Sequence, residues 1–438
     1  MFGYYLTLAL RSFKRNRVLT SLMVLIIAFG VSASMTSWSV FRAVSGDPIP
    51  WKSSRLFIPQ IDNWGPNGRS RDGEPPQAMS YIDAMALMRD HKATLQSAMY
   101  QLAPSIVPPD STLHPVNASG HGVFSEFFSM LDVPFQFGNA WNAQDDANRA
   151  RVIVISDKLN KKLFSGRNSV GKSLNVEGTP YRIIGVLPHW NPQPRFYDVV
   201  NSGAFDSNVE DIFLPFNTAI DAGLDNQGNT NCYAPPQQPG FTGLQQSECV
   251  WIAYLALLDD ATAVSAYRNY LQSYSSKQQQ AGRFSWAPNL RLRSVTEWLQ
   301  AREVVPSDTK ISLLVALGLL VACLVNTIGL LLAKFLRRSS EIGVRRALGA
   351  PRRQIYLQFL VESGVIGFSG GVLGLLFTFL GISSVDWIFP KEIAELAQID
   401  LPLLLLTLVL SVLATLLAGL YPTWRAAQVQ PAWQLKSN

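Results

Sequence analysis

Charge is scarce in this chain. Only 16% of its 438 residues are Asp, Glu, Lys or Arg, where a soluble protein carries about a quarter. Histidine is rarer still. His91, His114, His121 and His189 form no H-E-x-x-H or other tight ligand spacing, which argues against a metal site; His114 and His121 with Cys232 are the one grouping left open. The G-x-S-x-G spelling occurs at Gly367-Phe368-Ser369-Gly370-Gly371, but inside an apolar run rather than at a strand-to-helix turn, so a serine hydrolase has no support and no catalytic set is expected. The 42–310 segment has no Lys/Arg stripe interleaved with aromatics, so nucleic acid is not an expected partner. There are three cysteines. Cys323 lies inside an apolar run and reads as a small packed side chain. Cys232 and Cys249 lie 17 apart in a Pro/Gly/Gln-rich stretch; in an oxidising compartment they either pair or stand as two unrelated thiols.

What the chain has is apolar length. Hydrophobic residues make up 48%, and four runs, 18–41, 311–333, 355–380 and 401–421, each have about 20 residues or more, enough to cross ~30 Å of hydrocarbon. The net charge is +6, but its placement says more than its size. Segments 1–18, 334–354 and 422–438 hold 13 Lys/Arg against the single acid Glu341, whereas 42–310 holds 23 against 25 acids. The 386–400 loop has Lys391 against Asp386, Glu392, Glu395 and Asp400. Lys and Arg resist translocation, so both termini and 334–354 are expected inside, and 46–310 and 386–400 outside. Residues 1–17 mix Tyr4, Tyr5, Leu6, Leu8, Leu10 and Phe13 with Arg11, Lys14, Arg15 and Arg17. They read as an amphipathic helix in contact with lipid at the inner face. A cleaved leader ending near Val31-Ser32-Ala33 is the rival, but the uncharged stretch runs on to Phe41.

Between the first and second spans lies an α+β domain of two lobes. Strand 55–60, helix 80–91 with Ile82, Met85 and Met88 inward, and strand region 95–107 form one end. Strand 250–258, helix 261–274 and strand 283–295 form the other. The two ends are expected to join as one lobe, about 46–112 with 250–300. The middle, about 113–249, has a helix at 123–131, strand 151–156, helix 157–164 and strand 181–187. Stretches 191–207 and 224–246 read as loops. Gly166-Arg167-Asn168-Ser169-Val170-Gly171-Lys172-Ser173 matches the phosphate-loop pattern letter for letter. That chemistry needs a strand before and a helix after; here a helix precedes and a strand follows, so a hairpin corner is expected.

The basic stretch 334–362 is built rather than slack. Ser340 is expected to cap a helix with Glu341 in its first turn. Glu341 pairs with Arg345 at four-residue spacing, and Val344 with Leu348 forms an apolar ridge. Arg346 adds charge, Gly343 allows close approach, Gly349 ends the helix and Pro351 opens the next. Glu362 lies inside a span and is a functional candidate by default; a salt bridge to Arg345, Arg352 or Arg353 is the plainer role. Asn326 is a second polar residue within a span. Small residues at four-residue spacing, Ser363, Gly367 and Gly371 in the third span and Gly318 and Ala322 in the second, predict close helix packing in a bundle and within a dimer.

Asn326-Thr327-Ile328-Gly329, then Glu341-Ile342-Gly343-Val344-Arg345-Arg346-Ala347-Leu348-Gly349-Ala350, then Glu362, resemble the FtsX-like permeases of the MacB type. The closing Gly419-Leu420-Tyr421-Pro422 with Trp424-Arg425-Ala426-Ala427 resembles the same family. So do the middle-lobe runs Ile155-Ser156-Asp157, Val170-Gly171-Lys172-Ser173-Leu174 and Tyr181-Arg182-Ile183-Ile184-Gly185-Val186. The resemblance implies a bacterial inner-membrane permease whose segment between the second and third spans docks on an ABC ATPase. ATP and Mg²⁺ would then sit on that ATPase, on another chain, with no cofactor here. It implies a porter lobe at the joined ends and a Sabre lobe in the middle. It also implies a second permease copy or a paired homologue, with an adaptor and outer-membrane channel as further partners. Export or extraction of a peptide, drug-like molecule, siderophore or lipoprotein is the expected activity. A non-transporting transducer that switches an outer partner is the alternative.

Overall fold

Apolar length decides one half of the architecture and β-pairing the other. The computed structural model describes residues 2–69, 72–108, 114–205, 209–384 and 399–428. They fall into two units: the chain up to Ser45 together with Val305 onward, and Gly46–Val304. In chain order the helices are α1 (Phe2–Arg15), α2 (Arg17–Ser45), α3 (Tyr81–Asp90), α4 (Asp157–Phe164), α5 (Ala261–Gln280), α6 (Val295–Ala301), α7 (Ser307–Leu336), α8 (Ser339–Ala347), α9 (Arg352–Ser383) and α10 (Leu401–Ala427). Shorter helical turns carry no label.

In the first unit, α2, α7, α9 and α10 are each long and apolar enough to cross a membrane. At 27 to 32 residues they extend roughly 40–48 Å. Each outruns its apolar run because flanking polar residues continue the helix. Thus α7 opens at Ser307, with Asp308 in its first turn where the dipole favours an acid, and the second unit runs to Val304, where 310 was expected. The α9 stripe packs inside the chain. A methyl on Gly367 would collide with Thr415, and one on Gly371 with Ser411, both on α10. Ser363 abuts Gly419 of the same helix. Gly318, Ala322 and Asn326 instead lie on an exposed face of α7. α1 packs its buried Tyr5, Ala9 and Ser12 inward and leaves Tyr4, Leu6 and Leu10 exposed. Most of the predicted 386–400 loop, and the tail from 429, lie outside the described residues.

The second unit is built on one sheet. Its strands are β1 (Leu56–Ile61), β2 (Met79–Ser80), β3 (Leu95–Leu102), β4 (Ser105–Val107), β5 (Val116–Asn117), β6 (Gly120–Val123), β7 (Phe137–Gly138), β8 (Val152–Ser156), β9 (Ser173–Val176), β10 (Thr179–Leu187), β11 (Ile212–Pro215), β12 (Val250–Leu257) and β13 (Leu290–Ser294). Among the described residues the order is β13-β1-β12-β3-β6-β11-β8-β10-β9-β4-β5, with β2 on β12 and β7 on β10. The chain's two ends do meet, through β1, β12 and β13. The two expected lobes are halves of this sheet, joined where β3 runs antiparallel to β6 from Met99↔Val123 to Leu102↔Gly120. The expected boundary near 112 is displaced, because β4 leaves β3 and pairs with β9 at the far end. Strand β13 is also shorter than 283–295.

Aromatic side chains fill both faces: Tyr100, Phe216 and Trp251 on one, Phe127, Phe128 and Phe213 on the other. Of the expected inward residues of α3, Met85 and Met88 are half-buried against the core, but Ile82 is not part of that face. Ile82 is exposed, and Asp83, Ala84 and Leu87 are buried. The difference follows from Asp83, whose carboxylate takes hydrogen bonds from Tyr274 at 2.7 Å and Arg283 at 2.7 Å. A buried carboxylate needs such partners.

Candidate functional site

Only Arg337 and Arg338 separate α7 from α8, in a hydrogen-bonded turn: Arg337 N–H donates to Ala333 and Arg338 N–H to Phe335. The helix therefore opens at Arg338, with no side-chain cap, and the expected cap Ser340 lies inside it. At the other end Gly349 takes φ +96°, a backbone state glycine adopts without steric cost. Pro351 precedes α9 as its N-cap.

Glu341 faces three guanidiniums: Arg345 at 2.8 Å, Arg338 at 3.2 Å and Arg15 of α1 at 3.3 Å. Partial burial disfavours its charge, but the hydrogen bond and field of Arg338, with the fields of Arg345 and Arg15, hold the carboxyl below its ordinary range. Arg345 also donates to Gln358 of α9 at 3.0 Å. Along the same face, three and seven residues on from Glu341, Val344 is 54% exposed and Leu348 83%, while Ile342 and Gly343 are buried on the other side. Arg346 is half-buried.

Glu362 is 1% exposed, and its partners are not those expected. It pairs with Lys334 at 2.7 Å and Arg338 at 3.1 Å, and accepts a hydrogen bond from Ser12. Arg352 and Arg353 start α9 ten and nine residues earlier, roughly 14 Å along the axis, and Arg345 is held by Glu341. Lys334, expected in an open linker, is 0% exposed. It donates to Thr20 of α2 at 3.1 Å and lies 5.6 Å from the Phe13 ring centroid. Arg338 thus joins the two carboxylates, and through them α1, α7, α8 and α9 share one ionic cluster. Sequence reading found Glu341, Arg345 and Glu362 but missed Lys334, Arg338, Ser12, Arg15 and Gln358. The available signal was Glu362 itself: an acid inside a span needs a cation at the same depth, and the last turn of α7 and the turn after it supply Lys334 and Arg338.

The remaining predicted residues lie elsewhere. Cys232 and Cys249 form a disulfide, and Cys323 is free and buried. Gly166–Ser173 follows α4 and runs into β9, so no helix N-terminus faces a phosphate; Lys172 sits over the Phe164 ring at 4.8 Å. His121 does not join Cys232. It is wholly buried, with Nε2 2.9 Å from Asp198 and Nδ1 3.2 Å from Glu210, which also pairs with Arg195 at 2.9 Å. Burial works against its proton, but Glu210 and Asp198 prevail and raise its pKa to about 9. His114 is exposed. Among the described residues no group of three or more His, Cys, Asp or Glu is placed to hold a metal ion.

Comparison with known proteins accounts for both units. Residues 20–274 match the MacB-like periplasmic core domain, and 313–431 the FtsX-like permease C-terminal domain. The macrolide export ATP-binding/permease protein MacB of Pasteurella multocida is 25% identical over 416 residues, 95% of this chain and 56% of that protein. MacB of Escherichia coli K12 is 24% identical over 432 residues, 98% of this chain and 60% of its own. The chain therefore spans somewhat over half the length of these curated relatives. The periplasmic region of MacB from Actinobacillus actinomycetemcomitans superposes with a TM-score of 0.37 at 14% identity, over 58% of this chain and 95% of that one. With one family model covering more than half its length and a second covering its C-terminal spans, the chain belongs to the MacB-like family of FtsX-like permeases.

Proposed function

We propose that the chain is the membrane permease of an ABC transporter and that α8 is where an ATP-hydrolysing partner grips it. The observation that carries this reading is one short helix that exposes an apolar ridge while ion pairs tie it to the bundle. Val344 and Leu348 offer an exposed apolar ridge, while Glu341 and Arg345 tie the helix through Arg338 and Gln358 to Glu362, Lys334 and α9. At nine residues α8 is about 13 Å long, a size that enters a cleft as a rigid body. A push on it would pass directly to α7, α9 and α1.

In this reading the α8 end of the bundle and both termini face the cytoplasm, because Lys and Arg concentrate there, and Gly46–Val304 lies outside. ATP and Mg²⁺ belong to the partner ATPase. A second permease copy, or a paired homologue, covers the exposed Gly318, Ala322 and Asn326 of α7, since small residues let helices approach and a lipid-facing amide gains from a partner. The relatives' names speak of macrolide export, and outward movement of a substrate is the activity carried over here.

The full chain, tagged and purified in mild detergent from its native membrane, should bring an ATP-hydrolysing subunit with it. Leu348→Asp should abolish that association and Glu341→Arg should weaken it, because an unpaired charge at an interface costs several kcal/mol. Retention of the ATPase and of full transport by both variants would sink the reading. Labelling of a cysteine at position 345 by an impermeant reagent in intact cells would overturn the orientation.

A further inference from the structure

The second unit contains a cleft of about 680 Å³, within the range of small-molecule sites. Its walls include Trp64, Pro75, Pro76 and Trp298 among charged and amide side chains, so flat apolar surface stands within a lining that is mostly polar. The charges on those walls are nearly all satisfied by one another. Arg293 is held by Glu74 at 2.6 Å and by Gln60, Arg291 shares Glu74, and Arg69 is held by Asp62.

Arg302 is different. It is half-buried at the end of α6, and its Nε is fully buried without a hydrogen-bond partner. Among the described residues no carboxylate pairs with it, and its guanidinium lies 5.7 Å from the ring centroid of Trp298. Burial alone acts on it, and lowers its proton affinity. A free surface arginine would extend into water; this one is held against an indole, with its Nε closed off and its terminal nitrogens left to meet a ligand.

The frame around it is rigid. Ser294 and Glu297 form a reciprocal cap at the start of α6, and Trp298 is buried. The opposite wall carries Asn231 and Cys232. Asn231 exchanges two backbone hydrogen bonds with Val250, at 3.1 and 2.8 Å, and Cys232 is cross-linked to Cys249. A site whose walls are tied before a ligand arrives loses less on binding.

We propose that this cleft binds an organic carboxylate on an aromatic or apolar body, with Arg302 taking the carboxylate and the half-buried Trp64 taking the body. Guanidinium and carboxylate match as a two-bond fork. A peptide C-terminus and a free organic acid share this chemistry. Binding is a property of the resting domain and does not depend on α8 gripping an ATPase.

The test is calorimetric titration of the full chain in lipid nanodiscs without nucleotide. The probes are 3-phenylpropionate and a tripeptide ending in phenylalanine, each as the free acid and as its amide. Both acids, or the tripeptide acid alone, should bind, and each amide should bind at least tenfold more weakly. A clear preference for the tripeptide marks a peptide terminus as the ligand; equal affinity marks free acids. Arg302→Gln should cost roughly ten- to a hundredfold in acid affinity, as loss of a charge-assisted pair does, and leave amide binding unchanged. Arg302→Lys should retain part of it. Trp64→Ala should weaken acid and amide alike. An intact disulfide and unchanged thermal midpoint establish that each variant is folded. Equal affinity for acids and amides, no heat from any probe at millimolar concentration, or wild-type acid affinity in Arg302→Gln would each overturn the proposal.

Discussion

Glu362→Gln asks whether the ionic cluster holds α8 to the bundle. The amide keeps the shape of the carboxylate and can still accept from Ser12, so packing is preserved and only charge is lost. Lys334 then remains 0% exposed with a hydroxyl, Thr20, and the face of Phe13 as its company. Arg338 fares better, since it keeps Glu341. Removing one partner of a buried ion pair costs about 3–5 kcal/mol, which for a unit of this size lowers the thermal midpoint on the order of 10 °C. Adding Lys334→Met removes the stranded cation, and an apolar replacement of a whole buried pair is often neutral or better. The double variant should therefore recover most of the loss. The assay is the thermal midpoint of the full chain in nanodiscs, together with hydrogen exchange of the α8 amides. Exchange at α8 should quicken in the single variant and return toward wild type in the double. An unchanged midpoint in Glu362→Gln, or a double variant no more stable than the single, would refute the reasoning.

Three further outcomes follow from other parts of the molecule. His121 has a folded pKa of about 9 against an ordinary value of 6.5, so its contribution is complete below about 6.5 and is lost as pH rises through 9. Stability of the outer unit, followed by tryptophan fluorescence of the full chain, should fall across that window, and His121→Gln should flatten the fall. Reduction of Cys232–Cys249, separated by 17 residues, should lower the stability of the same unit by about 3 kcal/mol, read as a shift in its denaturant midpoint. Lys172→Ala should leave ATP hydrolysis by the assembled complex unchanged, because Lys172 rests on Phe164 beside a hairpin; loss of hydrolysis in a folded variant would contradict that placement.

The parts of this structure legible from sequence are those written in local pattern. The four spans follow from uncharged length. The end of α8 follows from Gly349, and its ionic face from Glu341 and Arg345 four residues apart. The parts that were not legible depend on residues far apart in the chain. The partners of Glu362 require the antiparallel register of α7 and α9, and a serine 350 residues away. On α3, Met85 and Met88 follow the expected inward face, but Asp83 takes the place of Ile82 because Arg283, 200 residues later, draws it in. The site of β4 was missed because a three-residue strand gives no sign that it will pair across the sheet with β9. Arg302 is not singled out by its local sequence, since nothing there shows that no carboxylate among the described residues pairs with it.

The pairing of β3 with β6 has a practical consequence for dissecting the outer unit. Chain order suggests excising 113–249 as a separate piece and closing the gap between 112 and 250. That cut would pull β6, β11, β8, β10 and β9 away from β3, leaving each fragment with a bare row of backbone donors and acceptors along the severed strand. It would also remove β4 from its neighbour β9. Unprotected edges of this kind recruit other chains, so both fragments should aggregate when expressed alone, and a soluble form of this unit must retain both halves.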